Sequence, residues 1–245
     1  MGQVVEEFEM LPSTNQYAQE LLSKSKPVEG TVISAQNQHA GRGQIGSSWE
    51  AAPGQNLTLS IILYPQFLAI QHQFQLNQSI SLGVRDFIAK YVQKPVKIKW
   101  PNDIYVNDNK IAGILIQNTL AGQKISSSII GIGININQKE FITNPPNPTS
   151  LALENNASFD LRLMQNALCE CLEPRYLQLK SGRTGVLYQN YLTHLYRYKA
   201  WANFRRADES IFRGKITGIS PLGKLRVESA DGVEEFGVKE VGFVR

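Results

Sequence analysis

The chain has 245 residues, of which 42% are hydrophobic and 19% charged, enough to bury a substantial core without help. Its formal net charge of +4 is spread along the sequence, whereas a nucleic-acid binder gathers its charge on one helix or stripe. The two cysteines, Cys169 and Cys171, give neither a disulfide framework nor a zinc site, and no segment reads as a leader peptide or a membrane span, so a cytoplasmic location is expected.

After Pro12, Ser13 can cap a helix whose apolar positions Tyr17, Ala18, Leu21 and Leu22 share a face, ending at Lys24 to Lys26 and Pro27. Thr31 to Ala35 and Asn56 to Tyr64 read as strands around a long Gly/Ser/Pro-rich loop. From Leu76 to Val92 the apolar residues recur every three or four positions, which predicts an amphipathic helix. VKIKW, DIYV, KIAGILIQ and KISSSIIGIGINI follow with short turn-rich connections, and these suit antiparallel hairpins better than helical crossovers. Thr143 to Ser150 must be loop because of its prolines, while Leu161 to Leu179 and Val186 to Tyr198 show helical spacing. Past Trp201 short alternating segments punctuated by Pro221-Leu222-Gly223 and Asp231-Gly232 predict a small appended barrel.

Four segments carry the polar and glycine residues that chemistry needs. In GRGQIGSSW (Gly41 to Trp49) the glycines Gly41, Gly43 and Gly46 let backbone N–H groups approach a ligand, and Arg42 adds a cationic fork; an ordinary surface loop would look similar. The spacing matches neither a Walker loop nor a dinucleotide fingerprint. In KWPND (Lys99 to Asp103), Asn102 and Asp103 place two oxygen-bearing side chains after a proline-stiffened strand end, fit for a Mg²⁺-bound nucleotide or for a plain Asn-Asp turn. Strict alternation puts Lys110 on the side of Ala112, Ile114 and Ile116, where a lysine is costly unless an anion pairs with it or the strand end is solvated. In GIGININ, Gly131, Gly133, Asn135 and Asn137 share a face on which something flat, such as an adenine ring, could lie; read alone it is a core strand with a polar end. His39, His72 and His194 form no metal or catalytic constellation.

Taken in order, STNQ from Ser13, QHAGRG from Gln38, KWPND from Lys99, KIAGIL from Lys110 and GIGININ from Gly131 resemble the biotin protein ligase family across essentially the whole chain. The resemblance implies an α+β fold: a mixed, largely antiparallel sheet flanked by helices, like a class II synthetase, over residues 1–198, and an SH3-like β-barrel over 199–245. It implies that ATP activates biotin as biotinyl-5′-AMP, which then biotinylates a lysine of a biotin carboxyl carrier protein. The alternatives are a lipoate or octanoate ligase or transferase, whose Arg-Arg, triple-glycine and His-Asp signatures are not in the sequence, and a biotin-binding protein without activity.

By the same resemblance, Ser13, Thr14, Asn15, Gln38, Gly41, Arg42, Gly43, Gln44, Lys110 and Gly113 would hold biotin, and Trp49, Asn102, Asp103, Lys110 and Asn135 the nucleotide. Lys110 and Arg42 would be catalytic, and Asp103 would support Mg²⁺. The loop departs from the family pattern at Gln44 and Ser47, which stand where arginines are common. Gln117 stands where Glu is common and receives no role. Only about a dozen residues precede Ser13, too few for a helix-turn-helix, so no operator binding is expected; relatives are often dimers, and a homodimer is compatible with an exposed sheet edge.

Overall fold

The computed structural model describes residues 1–41, 43–44, 48–142 and 147–244. Its larger sheet is built from β1 (Val5–Leu11), β2 (Val32–Gln38), β3 (Leu57–Leu63), β4 (Val96–Lys99), β5 (Asp103–Val106), β6 (Asn109–Ala121) and β7 (Lys124–Ile134). The order is β1-β2-β3-β7-β6-β5-β4, with only the β1–β2 pair parallel. The two-residue links after Val106 and Ala121 leave no room for a crossover, and Asn107 (φ 51) and Gly122 (φ 59) supply the left-handed backbone such hairpins need. The antiparallel reading of this region therefore follows directly from loop length.

The helices are α1 (Thr14–Lys24), α2 (Gln73–Ala89), α3 (Leu151–Asn155), α4 (Leu161–Lys180) and α5 (Thr184–His194). Through Ala18, α1 covers Ile33, Ala35, Ile62 and Ile129 on one face of the sheet. The other face carries α2, α4 and α5, joined in one core with Leu57, Leu59, Ile61 and Leu63. Covered on both sides, β3 is buried along its whole length and reads LTLSIIL, nearly continuous in apolar residues.

A second sheet, β8 (Trp201–Arg206), β9 (Ile211–Ile219), β10 (Leu225–Ser229), β11 (Gly232–Phe236) and β12 (Val241–Phe243), is antiparallel throughout in the order β11-β10-β9-β8-β12. Its interior residues Phe204, Ile216 and Leu225 belong to the same core as Ile98 and Leu195. The buried indole of Trp100 donates to the Gly223 carbonyl at 2.8 Å, tying the end of β4 to the turn between β9 and β10.

Four features depart from the sequence reading. Strand β1 carries Glu6, Glu7 and Glu9 and was not foreseen, because an edge strand exposed on one side needs no apolar alternation. Ser13 stands at the N-cap of α1, yet its side chain makes no capping bond among the described residues, and the residue lines the cavity described below. Helix α3 adds a third helix where two were expected, after Ser150, whose hydroxyl accepts from the Leu153 N–H. Helix α5 stops at His194 instead of reaching Tyr198, because Leu195 turns extended and pairs with Ile98.

Candidate functional site

On the α1 face of the sheet lies a cavity of about 170 Å³, lined from both ends of the chain's first half: Ser13 to Asn15, Gln38, Gly43, Gln44, Trp49, Asn102, Asp103, Lys110 and the glycines Gly113, Gly131 and Gly133. Its floor is a glycine-lined stretch of β6 and β7 that paired strands could not offer with larger residues. A Cβ added at Gly131 would overlap the Asn15 carboxamide, and one at Gly133 would overlap the Trp49 indole. At Gly113 the added carbon would stand 3.1 Å from the same indole.

The inner end is a closed polar network. Gln38 Oε1 accepts from the Thr14 N–H at 2.7 Å and lies 3.2 Å from its hydroxyl. The Ser60 hydroxyl, fully buried in β3, lies 2.8 Å from Thr14 Oγ1 and 2.6 Å from Asn15 Oδ1. Asn15 Nδ2 donates to Gln117 Oε1 at 2.9 Å. Two members, Ser60 and Gln117, were missed from the sequence. Ser60 left a trace there, a hydroxyl in a run of apolar residues where a buried polar group needs a partner. Gln117, given no role, proves to hold Asn15 in place.

The outer end is ionic. The Lys110 ammonium lies 2.7 Å from Asp103 Oδ1 and 5.8 Å from the centre of the Trp49 ring. Simple alternation puts Lys110 on the face of Ala112; the register disagrees, because Tyr105 pairs with Lys110 while Ile104 pairs with Ala112. The extra residue, Ile111, is a bulge, and it turns Lys110 to the side of Gly113 and Asp103 while Ile111 and Ala112 both enter the core. The backbone of Lys110 is clamped as well: its N–H donates to the Asn147 carbonyl at 2.7 Å, and its carbonyl accepts from Thr149 at 2.9 Å.

Asn135 and Asn102 serve that scaffold. The Asn135 amide donates to the Thr149 carbonyl at 2.9 Å, outside the cavity lining, and Asn102 donates to the Ile114 carbonyl at 2.6 Å. The flat group found against Gly133 is the chain's own Trp49, where a ligand ring was expected, and its indole N–H is buried without a partner among the described residues, as is Asn135 Oδ1. The Gly41 carbonyl accepts from the Trp49 N–H at 3.2 Å. Arg42 and Ser47, like residues 45–46 and 143–146, lie outside the described residues.

No group of three or more His, Cys, Asp or Glu among the described residues could hold a metal. Asp103 offers one carboxylate, engaged by Lys110 through Oδ1, and the Asn102 amide donates to the Ile114 carbonyl. Such a donor set fits a magnesium ion that keeps waters and is held chiefly by substrate phosphates, and does not fit an all-protein cage. No helix among the described residues is long and apolar enough to cross a membrane.

Residues 7–135 match the model of the biotin/lipoate A/B protein ligase family. The bifunctional ligase/repressor BirA of Bacillus subtilis is 32% identical over 246 residues, covering 96% of this chain and 72% of that protein. The biotin–[acetyl-CoA-carboxylase] ligase of Paracoccus denitrificans is 32% identical over 130 residues, 52% of this chain and 53% of that one. Among solved structures, the biotin protein ligase of Aquifex aeolicus in complex with biotin and ATP superposes with a TM-score of 0.80 over 99% of both chains, at 23% identity.

Proposed function

The chain belongs to the biotin/lipoate A/B protein ligase family, and from that premise we propose that it is an ATP-dependent biotin–protein ligase acting on a carrier domain of a biotin-dependent carboxylase. The observation that carries the reading is the cavity's polarity: a neutral hydrogen-bonding network at one end and a clamped lysine at the other. Relatives are named for this activity, and one related structure contains biotin with ATP.

In the first step a carboxylate oxygen of biotin attacks the α-phosphorus of ATP. The new P–O bond forms as the bond to the β-phosphate oxygen breaks, and pyrophosphate leaves. Two anions must meet, so positive charge has to stand ready where negative charge crowds. Lys110 takes that role with Arg42. Thr14, Asn15 and Gln38 hold the uncharged head of biotin, and Ser60 and Gln117 keep Asn15 oriented. In the second step the neutral ε-amine of the acceptor lysine attacks the acyl carbon. A C–N bond forms, AMP departs with the C–O bond's electrons, and the amine loses a proton to solvent. Asp103 would hold a magnesium ion together with the substrate phosphates, and that ion would supply charge neutralisation to the nucleotide. Trp49, now lying on Gly113 and Gly133, must move or share that slot when adenine enters, and water has to be kept from the mixed anhydride.

This reading divides the chain into a catalytic part, 1–198, and a barrel, 199–245, supported by the two separate sheets. The repressor half of a relative's name is not carried over. Pyrophosphate–ATP exchange run with biotin and with lipoate tests the chemistry. Biotin-dependent exchange with label transfer to a purified carrier domain is expected; exchange supported by lipoate alone overturns the reading.

A further inference from the structure

We propose that the cleft between α2, α5 and the second sheet is a ligand site for a phosphate group, separate from the cavity that carries the ligase reading. The cleft encloses about 440 Å³ and is lined by His72, Gln78, Thr184, Gly185, Tyr188 and Arg226 among others, with no carboxylate among its described lining residues. Thr184 and Gly185 open the eleven-residue helix α5. No side chain among the described residues caps that helix, and its first turn holds no acidic residue. The first N–H groups of a helix have no partner within it and present the positive end of its dipole. At α4 the Asp160 carboxylate fills the equivalent place, accepting from Arg162 and Leu163. At α5 the place is open, and nothing stands within 4 Å of where a Gly185 Cβ would be.

A helix start alone does not make a site, but Gln78 gives an independent sign. It is only 4% exposed, yet its carboxamide makes no hydrogen bond to any described residue. Its neighbour Ser79 has a hydroxyl that is buried with no partner among the described residues, whereas Gln78 borders the cleft. At 4% exposure Gln78 has little other access to a partner, and the cleft is the side from which one can reach its amide. Arg226 brings a guanidinium to the rim, steadied by Nε donating to Glu235 at 2.8 Å. Tyr188 donates to the Ile219 carbonyl at 3.1 Å, which fixes the wall between α5 and β9.

The donors along this cleft are helix amides, a carboxamide, the Thr184 hydroxyl and a guanidinium whose Nε is engaged by Glu235. A tetrahedral oxyanion has enough acceptors to satisfy such a set, and a guanidinium suits phosphate geometry. Free phosphate and a phosphate monoester share that chemistry.

Amide spectra of the ¹⁵N-labelled full chain, titrated separately with inorganic phosphate and with glycerol 3-phosphate, test the proposal. Saturable shifts of the Thr184 and Gly185 amides are expected. Tighter binding of the first probe marks free phosphate as the ligand, and tighter binding of the second marks an ester. Arg226→Gln, at a side chain that is 43% exposed, should weaken either by about tenfold or more, and Gln78→Leu should weaken it with the remaining spectrum preserved. If Gln78→Leu does not fold, Arg226→Gln decides. Shifts confined to residues around Thr14, Gln38 and Lys110, no shifts at all, or binding indifferent to Arg226→Gln overturns the site.

Discussion

The Lys110 ammonium and the Asp103 carboxylate lie 2.7 Å apart across neighbouring strands, and the contact exists because a one-residue bulge reverses the side on which Lys110 emerges. Both groups are about three-quarters shielded from solvent, at 26% and 21% exposure, so the lysine is positioned before any substrate arrives. Truncating it removes a preplaced cation from the point where carboxylate and phosphate meet. Lys110→Ala should cost about 3 kcal/mol or more in the adenylation transition state, roughly a hundredfold in biotin-dependent pyrophosphate exchange. Exchange at near the parent rate would remove Lys110 from the mechanism.

Gly131 faces the Asn15 carboxamide so closely that no side chain fits between them. Gly131→Ala must push Asn15 away from Ser60 and Gln117. The damage should appear in biotin binding: KM for biotin is expected to rise roughly tenfold, in line with the ~1–3 kcal/mol that overpacking costs. KM for ATP should change much less. Gln117→Leu, which removes the acceptor of Asn15 without adding bulk at Gly131, should reproduce the same direction. Equal losses for both substrates would point to general unfolding of the floor.

Much of this site was legible in the sequence, and what was not has definite causes. Runs such as NLTLSIILY and KISSSIIGIGINI announce buried strands through their β-branched content, and short links between them dictate hairpins. The face of Lys110 was misread because a bulge is set by the partner strand, which alternation within one segment does not contain. The clamp from Asn147 and Thr149 joins residues almost forty positions apart, and the Asn15–Gln117 bond joins residues 102 apart. The glycines of GIGININ announced a slot for something flat. That the slot would be filled by Trp49 depends on how the intervening loop folds back, a tertiary matter.

Trp100, next to Asn102 and Asp103, donates its buried indole N–H to Gly223 in the second sheet. The same core runs through both sheets, so the two should melt together. Trp100→Phe loses the hydrogen bond and leaves space behind, and a loss of about 2 kcal/mol or more is expected from both terms. Urea unfolding should show a lower midpoint and one transition with unchanged slope. A separate early transition would show that the second sheet stands on its own.

His194 ends α5, and a helix C-terminus ordinarily favours a protonated imidazole by about 0.3–1 kcal/mol. Here the opposite holds: burial first, then the charges of Arg85 and Lys97, hold its pKa below the usual imidazole value. The helix end gives His194 little in return, since the Lys97 ammonium already takes the Thr193 carbonyl at 3.1 Å. The folded chain therefore refuses a proton that the unfolded chain accepts. Stability from this group should be complete above the ordinary imidazole pKa of about 6.5 and should decline as pH falls through that value toward the lower folded-state pKa. His194→Gln should flatten that portion of the stability–pH curve measured by urea unfolding. A variant curve that declines as steeply as the parent's would assign the acid sensitivity to other groups.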